Sequence, residues 1–302
     1  MKLDQLQHFM AIVEQGSLRA AARRLDSPQP ALTRSIRTLE KELGIDLFAR
    51  QTTGMSLTAE GRRFHLRASA IVNEARRAKE ELQQVKGDYE GTVSAALSVM
   101  PHVGMLPSAL PVFRNTYPKV KLRISENLLP AVESSIRDGS VDFYLGAAPN
   151  QPPTAGLTMQ HLCENTRIVV GRKGHPLRKM KSLRDLTEAD WATTAIDYNA
   201  EDDLRRLFKA YSLTPPRVMY QARSAMSVMV ALEQTDLLAM LPVQWISNPM
   251  TRDLLHAFKL EEEIPAPSIV LVRRIDLPLT PPAEFLCDVL IRNLPNKESP
   301  AF

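Results

Sequence analysis

Residues 17–40 read SLRAAARRLDSPQPALTRSIRTLE, and this stretch decides the architecture of the amino-terminal part of the chain. Ser17 is a good N-cap, because its hydroxyl accepts from an amide left unpaired in a first helical turn. Leu18, Ala21, Ala22 and Leu25 follow at helical spacing as an inward face, with alanines that admit a close neighbour. After the break at Asp26, Ser27 stands where it can cap a further helix. Pro28 and Pro30 occupy its first turn, where a missing amide hydrogen costs little. The buried stripe of that helix is Ala31, Leu32, Ile36 and Leu39. Gln29, Thr33, Arg34 and Arg37 remain on the outside, a set of hydrogen-bonding and cationic groups suited to base edges and phosphates. The spacing predicts a helix-turn-helix.

Working outward, Leu6, Phe9, Met10, Ile12 and Val13 form an earlier amphipathic helix that Gly16 stops. Beyond Gly44, the apolar Ile45, Leu47 and Phe48 lead into Arg50 through Leu57, which read as a two-stranded wing around Gly54. Charge supports the same site. The net charge of the whole chain is only +4, yet residues 17–37 carry five arginines against one acid, whereas residues 91–302 hold 23 basic and 22 acidic residues. A basic stretch of this kind is a nucleic-acid candidate, with a solvated helix face as its bland alternative.

Gly16-Ser17, Ala21-Ala22, Leu25, Gln29-Pro30-Ala31-Leu32-Thr33-Arg34, Ile36, Leu39-Glu40, Leu43-Gly44, Leu47-Phe48, Arg50, Leu57-Thr58 and Gly61 together resemble the winged helix-turn-helix of the LysR-type transcriptional regulators. Pro28 departs from the pattern, which usually has Ser at that helix start. The resemblance implies that Gln29, Pro30, Thr33, Arg34 and Arg37 face the major groove of double-stranded promoter DNA, with Arg50 and Thr52 nearer the backbone. It also implies RNA polymerase as a functional partner.

From Thr58 to about Tyr89 there is no proline, and the glycines are Gly61 near the start and Gly87 near the end. Phe64, Ala68, Ile71, Ala75, Ala78, Leu82 and Val85 repeat at alternating spacings of four and three, which predicts a heptad seam on a solvent-surrounded rod and hence a homodimer. The resemblance adds the pairing of dimers into a homotetramer. Beyond a hinge at 87–91, strands alternate with helices, which predicts parallel sheets with crossover helices in two α/β lobes. Strands are expected at 92–99, 120–125, 141–146, 167–171, 192–196, 218–221, 237–241 and 269–272. The domains expected are 1–58 (winged helix-turn-helix), 59–90 (linker helix), 91–161 with 268–302 (first lobe) and 162–267 (second lobe).

This half resembles the family's effector-binding region, similar to a two-lobed periplasmic solute-binding protein, through Val141-Asp142, Gly146, Gly174-His175-Pro176-Leu177 and Leu241-Pro242. In open α/β sheets ligands sit beyond the carboxyl ends of strands. That selects Ser98, Met100, Pro101, Asn127, Leu128, Ala147, Tyr198, Ser224 and Pro242; only Ser98 and Asn127 also match the family's ligand positions well. Methionines 100, 105, 226, 229 and 240 near this cleft read either as soft walls for a small aromatic or apolar acid, acting as co-inducer, or as core filler. No other cofactor and no metal is expected.

Enzyme motifs are missing: no nucleophile elbow, phosphate-cradling loop, His-Glu-x-x-His or Cys-x-x-Cys occurs, and the six histidines are scattered. A solute-binding protein would account for the lobes but not for the first ninety residues. With no apolar run long enough to span a membrane and an amphipathic, charged amino terminus, the expectation is a cytoplasmic protein with no membrane partner.

Overall fold

A computed structural model of the chain describes residues 1–51, 54–85, 90–194, 200–222 and 224–294. The chain forms two compact units, Met1–Glu90 with Ser134–Val141, and Gly91–Glu133 with Asp142–Phe302.

The first unit begins with α1 (Leu3–Gln15), α2 (Leu18–Arg24) and α3 (Gln29–Leu43), then β1 (Phe48–Gln51) and β2 (Gly54–Leu57), and ends with α4 (Ala59–Val85). Gly16 closes α1 in the left-handed conformation at φ 68°, and the Ser17 hydroxyl accepts from the Ala20 amide at 3.2 Å. The three helices bury Leu6, Phe9, Ile12, Ala21, Leu32, Ile36 and Leu39 in one core. Glu40 ties α3 to the wing, its Oε1 accepting from the amides of Leu47 and Phe48. The start of α3 differs from the expectation: Pro28 itself is the capping residue, in extended conformation, and no side chain caps the helix. Ser27 is not the cap, because the helix starts one residue later than expected, at Gln29; the Ser27 amide donates to Ala22 O.

Along α4, Phe64 and Ala68 belong to this domain's own core, with Phe64 edge-on to Phe9 at 5.2 Å. Two positions of the expected heptad, Phe64 and Ala68, are therefore taken up by the chain's own core. Ile71 and Leu82 are 43% and 68% exposed. Nor is α4 a rod surrounded by solvent. Ser69 and Arg77 are buried: Ser69 Oγ donates to Asp138 Oδ2 at 2.8 Å, Asn73 to Asp138 O, and Arg77 to Gly139 O at 3.0 Å. Residues 134–141, expected in the first lobe, thus cluster with the first unit.

The second unit carries β3 (Gly91–Leu97), α5 (Val99–Gly104), α6 (Leu106–Thr116), β4 (Val120–Glu126), α7 (Leu129–Arg137, whose last turn clusters with the first unit), β5 (Phe143–Ala147), β6 (Leu157–Cys163) and β7 (Arg167–Arg172). It continues with β8 (Asp190–Thr194), α8 (Ala200–Ala210), β9 (Arg217–Ala222), α9 (Ala225–Gln234), β10 (Ala239–Pro242), α10 (Gln244–Ser247), β11 (Leu255–Ala257), β12 (Ile269–Arg274) and α11 (Pro281–Arg292). One sheet has the order β4-β3-β5-β12-β6. Its first three strands are parallel, and β12 is antiparallel to both neighbours, so the sheet is mixed rather than parallel throughout. The others are the antiparallel β10-β7-β11 and the parallel pair β8-β9.

The five-stranded sheet packs Val93, Leu97, Phe143 and Ile269 against Phe113 of α6 and Leu286 and Leu290 of α11. In the second lobe, adjacent residues point to opposite faces, as strand geometry demands. Val169, Trp191 and Leu238 join Phe208 on one side, while Val170, Ala192 and Ala239 join Val228 and Trp245 on the other. The Val141-Asp142 and Gly174-His175-Pro176 motifs have structural roles. Asp142 Oδ2 accepts from the Ser94 amide at 2.7 Å, and His175 is buried, its Nδ1 accepting from the Leu177 amide. Cys287 is buried in the first lobe, which pushes its thiol up to about 12. No helix among the described residues is long and apolar enough to cross a membrane.

Candidate nucleic-acid interface and effector cleft

The outer face of α3 is a shallow depression of about 680 Å³ lined by Gln29, Pro30, Thr33, Arg34, Arg37, Thr38 and Lys41. All five α3 residues selected from the sequence lie here together. Leu32, Ile36 and Leu39 bury the opposite side of the helix, which fixes this face outward. Thr33 and Thr38 turn their hydroxyl protons back to the carbonyls of Gln29 and Arg34, leaving oxygen lone pairs and methyl groups facing out. Arg34 and Arg37 are exposed and make no ion pair among the described residues. By contrast, Arg24 on α2 is held by Glu14. Two uncompensated guanidinium forks beside amide and hydroxyl groups are chemistry for phosphates and for the acceptor-rich edge of guanine. Arg50 lies in β1 of the wing, and Thr52 lies outside the described residues.

Ser98, Asn127 and Ala147 lie at the carboxyl ends of the parallel strands β3, β4 and β5, and Ser224 lies between β9 and α9. Ser98 follows β3 and opens α5; its Oγ accepts from the Ala147 amide at 3.1 Å, joining the ends of β3 and β5. Asn127 follows β4, with its amide donating to Leu97 O at 3.1 Å, and Leu128 leads into α7. Glu126 Oε1 accepts from the Ala225 amide at 3.1 Å, which brings the first turn of α9, and so Ser224, against the end of β4. Pro242 closes β10 two residues before α10, and α10 packs on α5. Tyr198 lies outside the described residues.

Met100 is buried in the core of the five-stranded lobe and Pro101 is buried beside it, because α5 turns those positions inward. Of the two readings of the methionines, Met105 and Met229 fit core filler, and Met226 is 61% exposed.

Beneath Ser98 the floor is tight. A Cβ on Gly146 would stand 2.5 Å from Tyr144 Oη and 2.6 Å from both Cβ and Oγ of Ser98. The Tyr144 hydroxyl donates to Ala147 O at 2.9 Å, and burial holds its pKa well above the usual phenol range, so it stays a proton donor.

Residues 3–62 match the bacterial regulatory helix-turn-helix proteins of the lysR family, and residues 86–295 match the LysR substrate binding domain. This chain belongs to the LysR family of transcriptional regulators. It is 26% identical over 239 residues to the HTH-type transcriptional regulator GbpR of Azospirillum brasilense, covering 78% of this chain and 70% of that protein. It is 25% identical over 300 residues to the SDS degradation transcriptional activation protein of a Pseudomonas strain, covering 96% and 95%. The crystal structure of full-length CbnR complexed with its target DNA matches with a TM-score of 0.71 at 20% identity, over 97% of this chain and 100% of that one.

As a LysR-family protein, the chain is a ligand-responsive DNA-binding transcriptional regulator and not an enzyme. Several residues that tie these strand and helix ends together escaped the sequence reading. Tyr144, Glu126, Gln244 and Trp245 belong to no motif that would single them out in the sequence. Only their tertiary partners, up to about a hundred positions away, reveal them.

Proposed function

We propose that this regulator binds a palindromic promoter site through α3 of two protomers paired along α4. A small organic acid bound between the two lobes of the second unit changes its action at the promoter. The observation that carries the reading is the α3 face, where Arg34 and Arg37 stand exposed and unpaired among the described residues beside Gln29, Pro30 and Thr33. A helix of this kind fits the major groove, and its short reach covers few base pairs, so a two-fold repeat of protein and operator is the economical arrangement. Ile71 and Leu82, exposed on α4, supply apolar surface for pairing, and pairs of dimers would give the tetramer. Arg50 and Thr52 of the wing contact phosphates. Ser98, Asn127, Ala147, Ser224 and Pro242 border the acid's site, with Leu128 and Tyr198 beside them. Recruitment of RNA polymerase then follows from the altered DNA complex, with ligand favouring one of two arrangements because it binds that one better.

The test is footprinting on the DNA upstream of the regulator's own coding sequence, at several salt concentrations and with a panel of small acids. Protection of a two-fold symmetric site, weakened by salt and lost in Arg34→Ala, is the expected result. Equal affinity for that fragment and random duplex overturns the reading.

A further inference from the structure

Helix α4 carries five arginines, and their bonds divide them into two groups. Arg62 donates to Leu57 O at 2.8 Å, Arg76 pairs with Glu80 at 2.8 Å, and Arg77 is buried and donates to Gly139 O at 3.0 Å. Arg63 and Arg67 are exposed and make no hydrogen bond or ion pair among the described residues. These two, one turn apart, line a concavity of about 330 Å³ together with Leu66 and Ala70 of the same helix and Ser134, Arg137 and Asp138 at the end of α7. All seven residues belong to the first unit, the one that carries the DNA-binding helix α3.

Three guanidinium groups stand here against one carboxylate, an excess of two positive charges. That carboxylate is already engaged: Asp138 Oδ2 accepts from Ser69 Oγ at 2.8 Å and Oδ1 from the Ser140 amide at 2.9 Å. Arg63 and Arg67 repel each other across four positions of the helix, and no acid lies three or four positions from Arg67 to offset this. A bound dianion removes the repulsion. The guanidinium fork matches phosphate oxygens two at a time, and Ser134 adds an exposed hydroxyl donor. A phosphate monoester carries nearly two charges at neutral pH, whereas each phosphate of a duplex carries one. Leu66 is 53% exposed and Ala70 stands one turn beyond it, so the same concavity has an apolar wall that a bare ion leaves wet. Its volume suits a small molecule with a charged end and an apolar body.

We propose that this concavity is a second small-molecule site, in the DNA-binding unit, that takes a small phosphate monoester: its dianionic phosphate lies among Arg63, Arg67 and Arg137, and its apolar body rests on Leu66. The site shares no residue with the acid cleft of the second unit and does not depend on that reading.

The experiment is calorimetric titration of the full-length regulator, without DNA and at low salt, with phenyl phosphate, phenyl sulfate and inorganic phosphate. Phenyl phosphate is expected to bind saturably and at least about tenfold more tightly than phenyl sulfate, which has nearly the same shape and a single charge. Inorganic phosphate, with nothing to lay on Leu66, should bind more weakly than phenyl phosphate. Arg63→Gln and Arg67→Gln should each weaken phenyl phosphate at least about tenfold, as loss of a charge-assisted bond requires, at an unchanged unfolding temperature because both side chains are exposed. Arg62→Gln, which removes the same charge from α4 outside the concavity, and Arg34→Ala on α3 should leave the affinity as in wild type. Absence of saturable binding, equal binding of phenyl phosphate and phenyl sulfate, or equal binding of phenyl phosphate and inorganic phosphate overturns the monoester site. A loss in Arg62→Gln or Arg34→Ala as large as in Arg67→Gln also overturns it, since the anion is then held by general charge or by α3. If Arg67→Gln leaves phenyl phosphate binding unchanged and instead lowers the salt slope of operator binding, the concavity grips the duplex backbone, and the monoester site falls by that result.

Discussion

Ser98 performs two tasks with one side chain, and they make opposite demands on a substitution. Its Oγ accepts from the Ala147 amide, which ties the ends of β3 and β5 together, and it occupies the position where an effector's acid group is proposed to bind. Ser98→Ala removes one partly buried hydrogen bond, a loss of about 1 kcal/mol in unfolding free energy. The expected phenotype is a blunted transcriptional response to ligand with operator affinity unchanged in mobility-shift titration; a normal response removes Ser98 from the ligand site. Gly146→Ala is harsher. The added carbon meets Tyr144 Oη and Ser98 within 2.6 Å, on a strand held from both sides by β3 and β12, so nothing can retreat cheaply. Overpacking of this kind costs about 1–3 kcal/mol, read as a lowered denaturation midpoint at unchanged slope. Ser98 was legible in the sequence because strand ends and helix starts announce themselves through composition. The constraint on Gly146 was not, because it arises from a serine 48 positions earlier and from the packing that buries Tyr144.

At the scale of the element, α4 shows why a period is weaker information than a period with its surroundings. The four-three spacing from Phe64 to Leu82 is present, and the helix exists over Ala59–Val85, but the residues of the stripe do not share one surrounding. Phe64 and Ala68 close the winged domain's core; Ile71 and Leu82 are left exposed. Sequence alone could not divide them, since the division depends on where α1 crosses α4. The prediction is therefore graded by position. Ile71→Asp should leave the winged domain folded, weaken self-association by tenfold or more as a buried charge would require, and reduce operator affinity in parallel, roughly as loss of one half-site demands. Phe64→Ala should instead lower the unfolding temperature, with a cost of about 3–5 kcal/mol typical of a deleted core aromatic. Analytical ultracentrifugation beside thermal unfolding separates the two. An Ile71→Asp dimer as tight as wild type sinks the pairing surface. The bonds from Ser69, Asn73 and Arg77 to residues 138 and 139 were illegible for a related reason: a buried arginine on a charged helix looks like every other solvated one until its acceptor is known.

For the whole molecule, the division of charge between the two units was plain in the sequence and has a measurable consequence. The excess of arginine lies in residues 17–37, while residues 91–302 are nearly neutral with 23 basic and 22 acidic residues. The second unit owns its hydrophobic cores, one around Phe113 and Phe143 and two around the strands of the other lobe, so folding does not require the winged domain's core. A fragment of residues 91–302 should then unfold cooperatively, bind the small acid that the full chain binds, and show no DNA affinity even at low salt. In the full chain, affinity should fall linearly with the logarithm of salt concentration. Arg37→Ala should reduce that slope by about one for each protomer bound if the guanidinium grips a phosphate, and should leave the slope nearly intact while relaxing sequence preference if it reads a guanine. Retained DNA binding by the fragment, or a full-length affinity insensitive to salt, would move the interface away from α3. The arginines themselves were found by counting, but their division between base and backbone depends on a duplex that only the complex positions, and the slope measures that division one residue at a time.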